Sequence, residues 1–531
     1  MGIYLNPGNA SFQSIRKGIY IDKSELISFV NARLGTKEKL ICVSRPRRFG
    51  KSFAAQMLCA YYDKSCDSRS LFRDLKIASD TDFSVYLNQF NVLYLDMTWF
   101  LVNSGDIKDT VRNLQQEIIK ELKMYYSEYI AADVTTLPMV LSKINQATGE
   151  KFIIIIDEWD ALFREAKNDS ELQTAYIDLL RGLFRSSLTD RMIEAAYMTG
   201  ILPIKKYGTQ SAMSDFYEYT MIQPEPLEKY VGFTEQEVRT LCTAASLDFD
   251  EVQNWYDGYI LGENLHIYNP KSVLDAVRRR QLNNYWTQTE TYESLKSYIN
   301  SNFDHLKEDI IYMLAGNSCK ITTRRFQNDM ININSKDDVF TLLIHLGYLA
   351  YDIRSSEVFI PNLEIADEFK NAIEDSGWNI IASALAASES LLAATLAGDC
   401  DTVAQYIDKI HLENTSIISY NNENALSCVI SIAYFFARKD YMLIRELPSG
   451  KGFADIVFLP RRNIDKPAMV IELKWDQSSQ GAIRQILDKQ YPESLHDYSG
   501  NILLVGISYN KKSKEHECTI MTGHVTHEQY S

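Results

Sequence analysis

The chain has 531 residues, with 46% hydrophobic and 24% charged, so wholesale disorder is excluded and several domains are expected. Lys plus Arg number 55 against 70 for Asp plus Glu, a formal charge of -15. This excludes coating of nucleic acid by a generally basic surface and leaves only a local patch for that purpose. The eight cysteines (42, 59, 66, 242, 319, 400, 428, 518) form no CxxC pair and no Cys/His cluster at zinc spacing. The N-terminus MGIYLNPGNASF lacks a charged stretch leading into an apolar one, and the most apolar run, Phe152 to Ile156, is too short to span a bilayer. The expectation is a soluble, cytoplasmic protein with no membrane partner.

A short apolar strand, Leu40 to Ser44, runs into Arg45-Pro-Arg-Arg-Phe-Gly-Lys-Ser52 and then into a helical pattern from Phe53 to Tyr62. Backbone N–H groups at such a turn, with the helix N-terminus behind them, cradle phosphate oxygens. Arg48, Phe49 and Gly50 would form the cradle, Lys51 would reach the β- and γ-phosphates, and Ser52 would ligate Mg2+. The P-loop pattern wants glycine where Arg45 stands. Asn91 to Asp96 is an additional apolar strand between this loop and the next motif, as in the AAA-like branch of P-loop ATPases.

Lys151 to Glu158 is a continuous apolar run ending in adjacent acids, the pattern of a strand buried on both faces of a parallel sheet. Asp157 would support Mg2+ and Glu158 would polarise the attacking water. A buried strand tipped by two solvated acids would explain the run, but not its place downstream of a P-loop-like turn. Met192 to Thr199 reads as a further strand, with Thr199 where a sensor of the γ-phosphate would sit. Intervening helices make this an α/β sheet with ligands at the carboxyl strand ends. Arg181 and Arg185 precede the last strand, where an arginine finger can lie, and read as ordinary surface residues.

Tyr20-Ile-Asp-Lys-Ser24, the Arg45–Ser52 loop, Ile156-Asp-Glu-Trp-Asp160, Met198-Thr-Gly-Ile201, Trp255-Tyr-Asp-Gly-Tyr259 and Tyr268-Asn-Pro270 occur in this order. Together they resemble the bacterial AAA-ATPase-like family, whose members typically carry a C-terminal PD-(D/E)XK nuclease domain. The resemblance covers nearly the whole chain and implies that Arg45 in place of the first glycine is normal. Trp159 departs from it, since relatives more often have Tyr there.

Residues 226–285 read as helices broken at WYDGY and YNP, a helical lid on an ATPase core of residues 1–225. The aromatic turn could touch the adenine or ribose, and a packed aromatic turn is the plainer reading. Arg278, Arg279 and Arg280 read as a solvated helix end complementing the dipole. Residues 286–365 run helix, helix and then two short strands, which suits a winged-helix-like segment, a spacer rather than a DNA reader because Thr322, Arg324 and Arg325 give little basic density. Residues 366–415, rich in Ala and Leu, read as a helical connector.

In residues 416–531, Tyr441 to Glu446, Phe453 to Leu459 and Ala468 to Trp475 read as successive strands. Asp455 and Glu472 would come from neighbouring strands, with Lys474 on the same face as Glu472. The two carboxylates and the Leu473 carbonyl would hold Mg2+, and Lys474 would orient a water. An E-x-K triplet alone carries almost no information. With the acid and the hairpin it resembles the PD-(D/E)XK nuclease core. That resemblance further implies supporting roles for Glu423, matching the first acid, and for Gln485 and Tyr491, matching a Q-and-Y signature. Phe453 stands where relatives often have Arg.

The fold expected is therefore multidomain α/β: an N-terminal P-loop, AAA-like parallel sheet flanked by helices, a helical and winged-helix-like middle, and a C-terminal PD-(D/E)XK restriction-endonuclease-like α/β domain. The function expected is an ATPase coupled to a Mg2+-dependent nuclease acting on nucleic acid, DNA foremost, with ATP and Mg2+ as cofactors and a homo-oligomer compatible with both. The alternative is a nucleotide-gated regulatory or interaction protein whose nuclease-like domain binds DNA or a partner without cutting.

Overall fold

Four consecutive isoleucines, 153–156, place their strand inside a sheet, because both of its faces must be covered. The computed structural model describes residues 2–131, 133–204, 213–286, 292–301, 303–324, 326, 333–376, 378–414, 423–449, 452–461, 464–489, 495, 498 and 500–523. There the isoleucine strand, β3 (Phe152–Asp157), is buried along its whole length. With β1 (Leu40–Ser44), β2 (Asn91–Asp96), β4 (Ile193–Gly200) and β5 (Tyr217–Tyr219) it forms a parallel sheet in the order β2-β3-β4-β1-β5. Each fully buried isoleucine contributes roughly 1.5–3 kcal/mol by leaving water. The helix Thr110–Tyr126 turns Val111, Leu114, Ile118 and Leu122 inward, and the helix Leu137–Thr148 does the same with Val140, Leu141 and Ile144. All seven join one apolar core with the buried faces of β2 and β3.

The chain divides into two compact units, Met1–Tyr285 with Lys320–Pro361, and Trp286–Cys319 with Asn362–Ser531. The segment 286–365, expected as one winged-helix-like element, is thus shared between them. Within the first unit the reason is close packing. Gly258 has φ 106, and a Cβ on it would stand 2.1 Å from the Pro361 carbonyl oxygen. The neighbouring Tyr259 hydroxyl donates to the Gly347 carbonyl at 2.6 Å.

Residues 226–285 hold the helices Glu235–Ala245, Phe249–Tyr256 and Pro270–Arg279, interleaved with a small antiparallel sheet. Its strands Tyr259–Leu261 and Leu265–Tyr268 lie at the WYDGY and YNP positions, which read from sequence only as helix breaks. Asp257 meets His266 at 2.8 Å, and Asn269 caps the Pro270–Arg279 helix by accepting from Lys271 N at 2.8 Å. Both motifs therefore have a local structural use.

In the second unit the helices Leu363–Asp375, Asn379–Ala397 and Cys400–Asn414 precede a mixed sheet. That sheet runs in chain order: β6 (Tyr441–Ser449), β7 (Gly452–Pro460), β8 (Ala468–Trp475), β9 (Ile502–Asn510) and β10 (Glu515–Gly523). Only β8 and β9 pair in parallel, and the helix Ser479–Asp488 makes the crossover between them. This is the α/β, multidomain fold expected. Among the described residues no helix is long and apolar enough to cross a membrane.

The close approach at Gly258 gives a stability prediction. Gly258→Ala should destabilise the protein by about 2 kcal/mol or more, since the added methyl meets backbone and the residue must keep a left-handed φ. A shift in the denaturant midpoint measures this; an unchanged midpoint would refute the packing described.

Candidate nucleotide and nuclease sites

The loop after β1 is bent by two left-handed residues, Arg48 at φ 68 and Gly50 at φ 92. Gly50 caps the helix Lys51–Tyr62, so the conformation needed to aim that helix at the strand ends falls where glycine carries no steric penalty. Arg45 is buried beneath the loop, where its Nη1 donates to the Ser44 carbonyl at 2.9 Å and the Tyr219 carbonyl at 3.1 Å. It thereby ties β1 to β5. Burial lowers its guanidinium to about 10.

β4 lies between β1 and β3, so Thr199 sits between the loop and the acids. Its hydroxyl donates to Asp157 Oδ1 and accepts from Glu158 N at 3.3 Å, and its carbonyl accepts from Trp159 N at 2.8 Å. Ser52 also hydrogen-bonds Asp157, and Tyr94 donates to Asp157 Oδ2 at 3.2 Å. Burial raises the Asp157 carboxyl, opposed by the hydrogen bonds from Thr199 and Ser52. Ser52 and Asp157 together are hard oxygen donors, a set that fits Mg2+.

Lys51 is buried; its Nζ donates to the Pro46 carbonyl at 3.0 Å and stands 3.6 Å from Glu158 Oε1. Arg164 donates to the other carboxylate oxygen, Oε2. Burial would raise the Glu158 carboxyl, but Lys51, Arg164 and Arg47 outweigh it and hold the group below its ordinary value. Beside these residues opens a cavity of about 830 Å³, lined among others by Tyr20, Ile21, Lys51, Phe53, Phe233 and Arg278. Its size is that of a small-molecule site. Arg278, read from sequence as a solvated helix end, faces it. Arg181 and Arg185 pair with Asp178 at 3.1 Å and Asp215 at 3.9 Å.

Sequence reasoning missed Tyr94, Arg164 and Arg278 in this half. Period-2 alternation along β2 offered a signal for Tyr94. The i,i+4 spacing of Asp160 and Arg164 offered one for the arginine. Nothing local marks Arg278, because tertiary folding alone brings the Pro270–Arg279 helix to the P-loop.

At the second site the β7–β8 ladder is registered from Ile456 opposite Ile471 to Phe458 opposite Met469. Just beyond it, Asp455 Oδ2 accepts from Leu473 N at 2.8 Å, a side chain standing in for a backbone acceptor. Glu472 and Lys474 share a face, with Lys474 Nζ 3.0 Å from Glu472 Oε1, and Gln485 donates to the same oxygen from the crossover helix. Glu472 Oε2 is buried with no hydrogen-bond partner. Burial, then the charge of Asp455, pushes the Glu472 carboxyl up to about 7, opposed by Lys474. An orphaned carboxylate oxygen beside a second acid fits a hard cation, which would restore the missing partner. Among the described residues no three His, Cys, Asp or Glu converge with metal-binding geometry, so any Mg2+ would keep water in its shell. Glu423 begins the helix Glu423–Ala433, while its side chain and Tyr491 lie outside the described residues, as does the Phe453 side chain.

Comparison with known proteins agrees with this division. Residues 7–209 match the model of a family described as a predicted AAA-ATPase. Residues 421–518 match the PD-(D/E)XK nuclease superfamily. The N-terminal AAA and C-terminal nuclease arrangement expected from the motifs is thus borne out. No curated protein matches. Among solved structures, C. elegans PCH-2 is 12% identical with a TM-score of 0.22, over 65% of this chain and 72% of that one. The Aeropyrum pernix ORC2 protein, in ADPNP–ADP complexes, is 12% identical with a TM-score of 0.22, over 69% of this chain and 93% of that one. At those scores neither bears on fold or function.

The raised Glu472 carboxyl has a sign that can be tested without activity. Between the ordinary value of 4.5 and about 7 the folded protein binds a proton at Glu472 that the unfolded chain has released. In metal-free protein its contribution to stability is therefore present at low pH and lost as pH rises through that window. Glu472→Gln should flatten this part of the stability–pH curve in denaturant titrations; curves of identical shape would contradict the burial of an unpaired carboxyl.

Proposed function

We propose that the chain is an ATP-binding and ATP-hydrolysing AAA-like protein coupled to a Mg2+-dependent PD-(D/E)XK nuclease acting on nucleic acid, DNA foremost. The observation that carries this reading is that each large sheet gathers its acids and a lysine at one end, in segments matched by the two family models. In the first site Lys51 leaves Glu158 to meet the phosphates, the Arg48–Gly50 loop cradles them, and Glu158 polarises the attacking water. Thr199 senses the γ-phosphate while holding Asp157. In the second site Lys474 orients the attacking water, with Gln485 fixing the Glu472 carboxylate. Ser52 and Asp157 would hold Mg2+ at the first site, and Asp455 and Glu472 at the second. When bound, Mg2+ supplies neutralisation of phosphate charge at both.

Nucleic acid is gripped by a local patch, and the net charge of -15 makes that grip weak and salt-sensitive. The setting proposed is cytoplasmic, with a homo-oligomer compatible. The second reading is a nucleotide-gated interaction protein that binds nucleic acid or a partner without cutting. It is favoured by one departure, Phe453 where relatives of the nuclease often carry Arg.

The two halves separate experimentally. Lys51→Ala should abolish ATP turnover, and unchanged turnover would refute the P-loop reading. Wild-type protein should cleave single- or double-stranded DNA with Mg2+, with the rate altered by ATP, while Lys474→Ala and Glu472→Ala lose on the order of a hundredfold or more. Cleavage that survives both substitutions would remove this site from the reaction. Binding of DNA with no Mg2+-dependent cleavage would select the second reading.

A further inference from the structure

Glu158 sits in a left-handed backbone conformation, φ 53, which is strained for a residue with a Cβ and persists only where the surroundings fix it. Its amide and that of Trp159 are both held by Thr199. The side chain is held separately. Asp160, fully buried, accepts from Ile201 N at 3.1 Å and Leu202 N at 2.9 Å, which anchors it to the chain leaving β4. The Arg164 guanidinium stands 3.2 Å from Asp160 Oδ2 through Nε and donates to Glu158 Oε2 through Nη2. Arg164 is itself nearly buried, with 9% side-chain exposure, so it has little freedom to point elsewhere. A brace therefore runs from β4 through Asp160 and Arg164 to the far oxygen of Glu158, while Lys51 faces the near one.

The two cations are not equivalent. A P-loop lysine is drawn to the β- and γ-phosphates of a bound triphosphate, so the Lys51–Glu158 pair is the one a nucleotide breaks. The Arg164 pair is made within the turn after β3 and is anchored by a second acid, Asp160. We infer that Arg164 is a positioning residue for Glu158, holding its carboxylate in the orientation for attack once Lys51 has turned to the nucleotide. This rests on the ATPase reading above. It gives Arg164 a place in turnover and no part in binding ATP, because its ion pairs lie within the turn after β3.

The test compares full-length wild type, Arg164→Ala and Arg164→Lys in Mg2+-ATP turnover, with binding of a fluorescent ATP analogue and thermal melting measured in parallel. Arg164→Ala should lower kcat by about tenfold to a hundredfold, the scale on which misplacement of a reacting group acts. KM and analogue binding should stay within about twofold. Arg164→Lys keeps a cation beside Glu158, guards against a fold-destroying cavity, and should recover part of kcat. A folded, analogue-binding Arg164→Ala with wild-type kcat overturns the inference, as does a change confined to KM. A rise in kcat also overturns it, since the pair would then restrain Glu158 from its work. If wild type binds the analogue but shows no Lys51-dependent turnover, the ATPase reading itself fails and the inference falls with it.

Discussion

The N-terminal site depends on one buried threonine. Thr199 is the last residue but one of a strand lodged between the P-loop strand and the acid-bearing strand, and it makes three hydrogen bonds to the latter's tip. The contact with Asp157 is buried, and losing a hydrogen bond there costs on the order of 1 kcal/mol. The separation of loop and acids is thereby fixed by sheet geometry and not by flexible side chains. Lys51, Ser52, Asp157 and Glu158 then have few alternatives to facing one another. A loop alone would be a generic turn; the intervening strand brings the acids to it.

Much of this was legible in the sequence because the signals were backbone signals. A run of isoleucines reads as an interior strand, and a Gly-Lys-Ser turn gains meaning from the apolar strand before it and the helical pattern after it. Those two statements fixed the places of Lys51, Ser52, Asp157 and Glu158. The E-x-K spacing likewise put Glu472 and Lys474 on one face before any neighbour was known. What stayed illegible depended on tertiary approach. Arg278 reaches the cavity through packing of the Pro270–Arg279 helix, and the 286–365 segment is divided because Gly258 and Tyr259 bind its second half to the first unit. Neither has a period or spacing to betray it. The WYDGY and YNP motifs were legible as breaks, and the local contacts of Asp257 with His266 and of Asn269 with Lys271 N depend on the fold around them.

The acids beyond the sites number far more than the sites use, which leaves the balance of 55 basic against 70 acidic residues with its first meaning. The net charge of -15 gives no overall attraction to a polyanion and leaves any grip to a local patch. At the second site the environment is arranged differently from the first. Glu158 is surrounded by cations and stays ionised, whereas Glu472 has one lysine against both burial and a neighbouring acid. The same residue type is thus shifted in opposite directions at the two sheet ends, a difference that burial and partners set and that sequence spacing does not encode.

Asp455 has one further consequence. Its carboxylate takes the Leu473 amide where the β7–β8 ladder stops, so it works as a hinge pin that lets two antiparallel strands part without stranding a backbone donor. The acid that would serve at this site therefore also satisfies a backbone donor of β8. Removing the carboxylate would take away a candidate metal donor and this acceptor of the Leu473 amide at the same time. Changing Asp455 therefore alters a candidate ligand and a backbone contact together, and changing Lys474 removes the lysine that offsets the burial of Glu472.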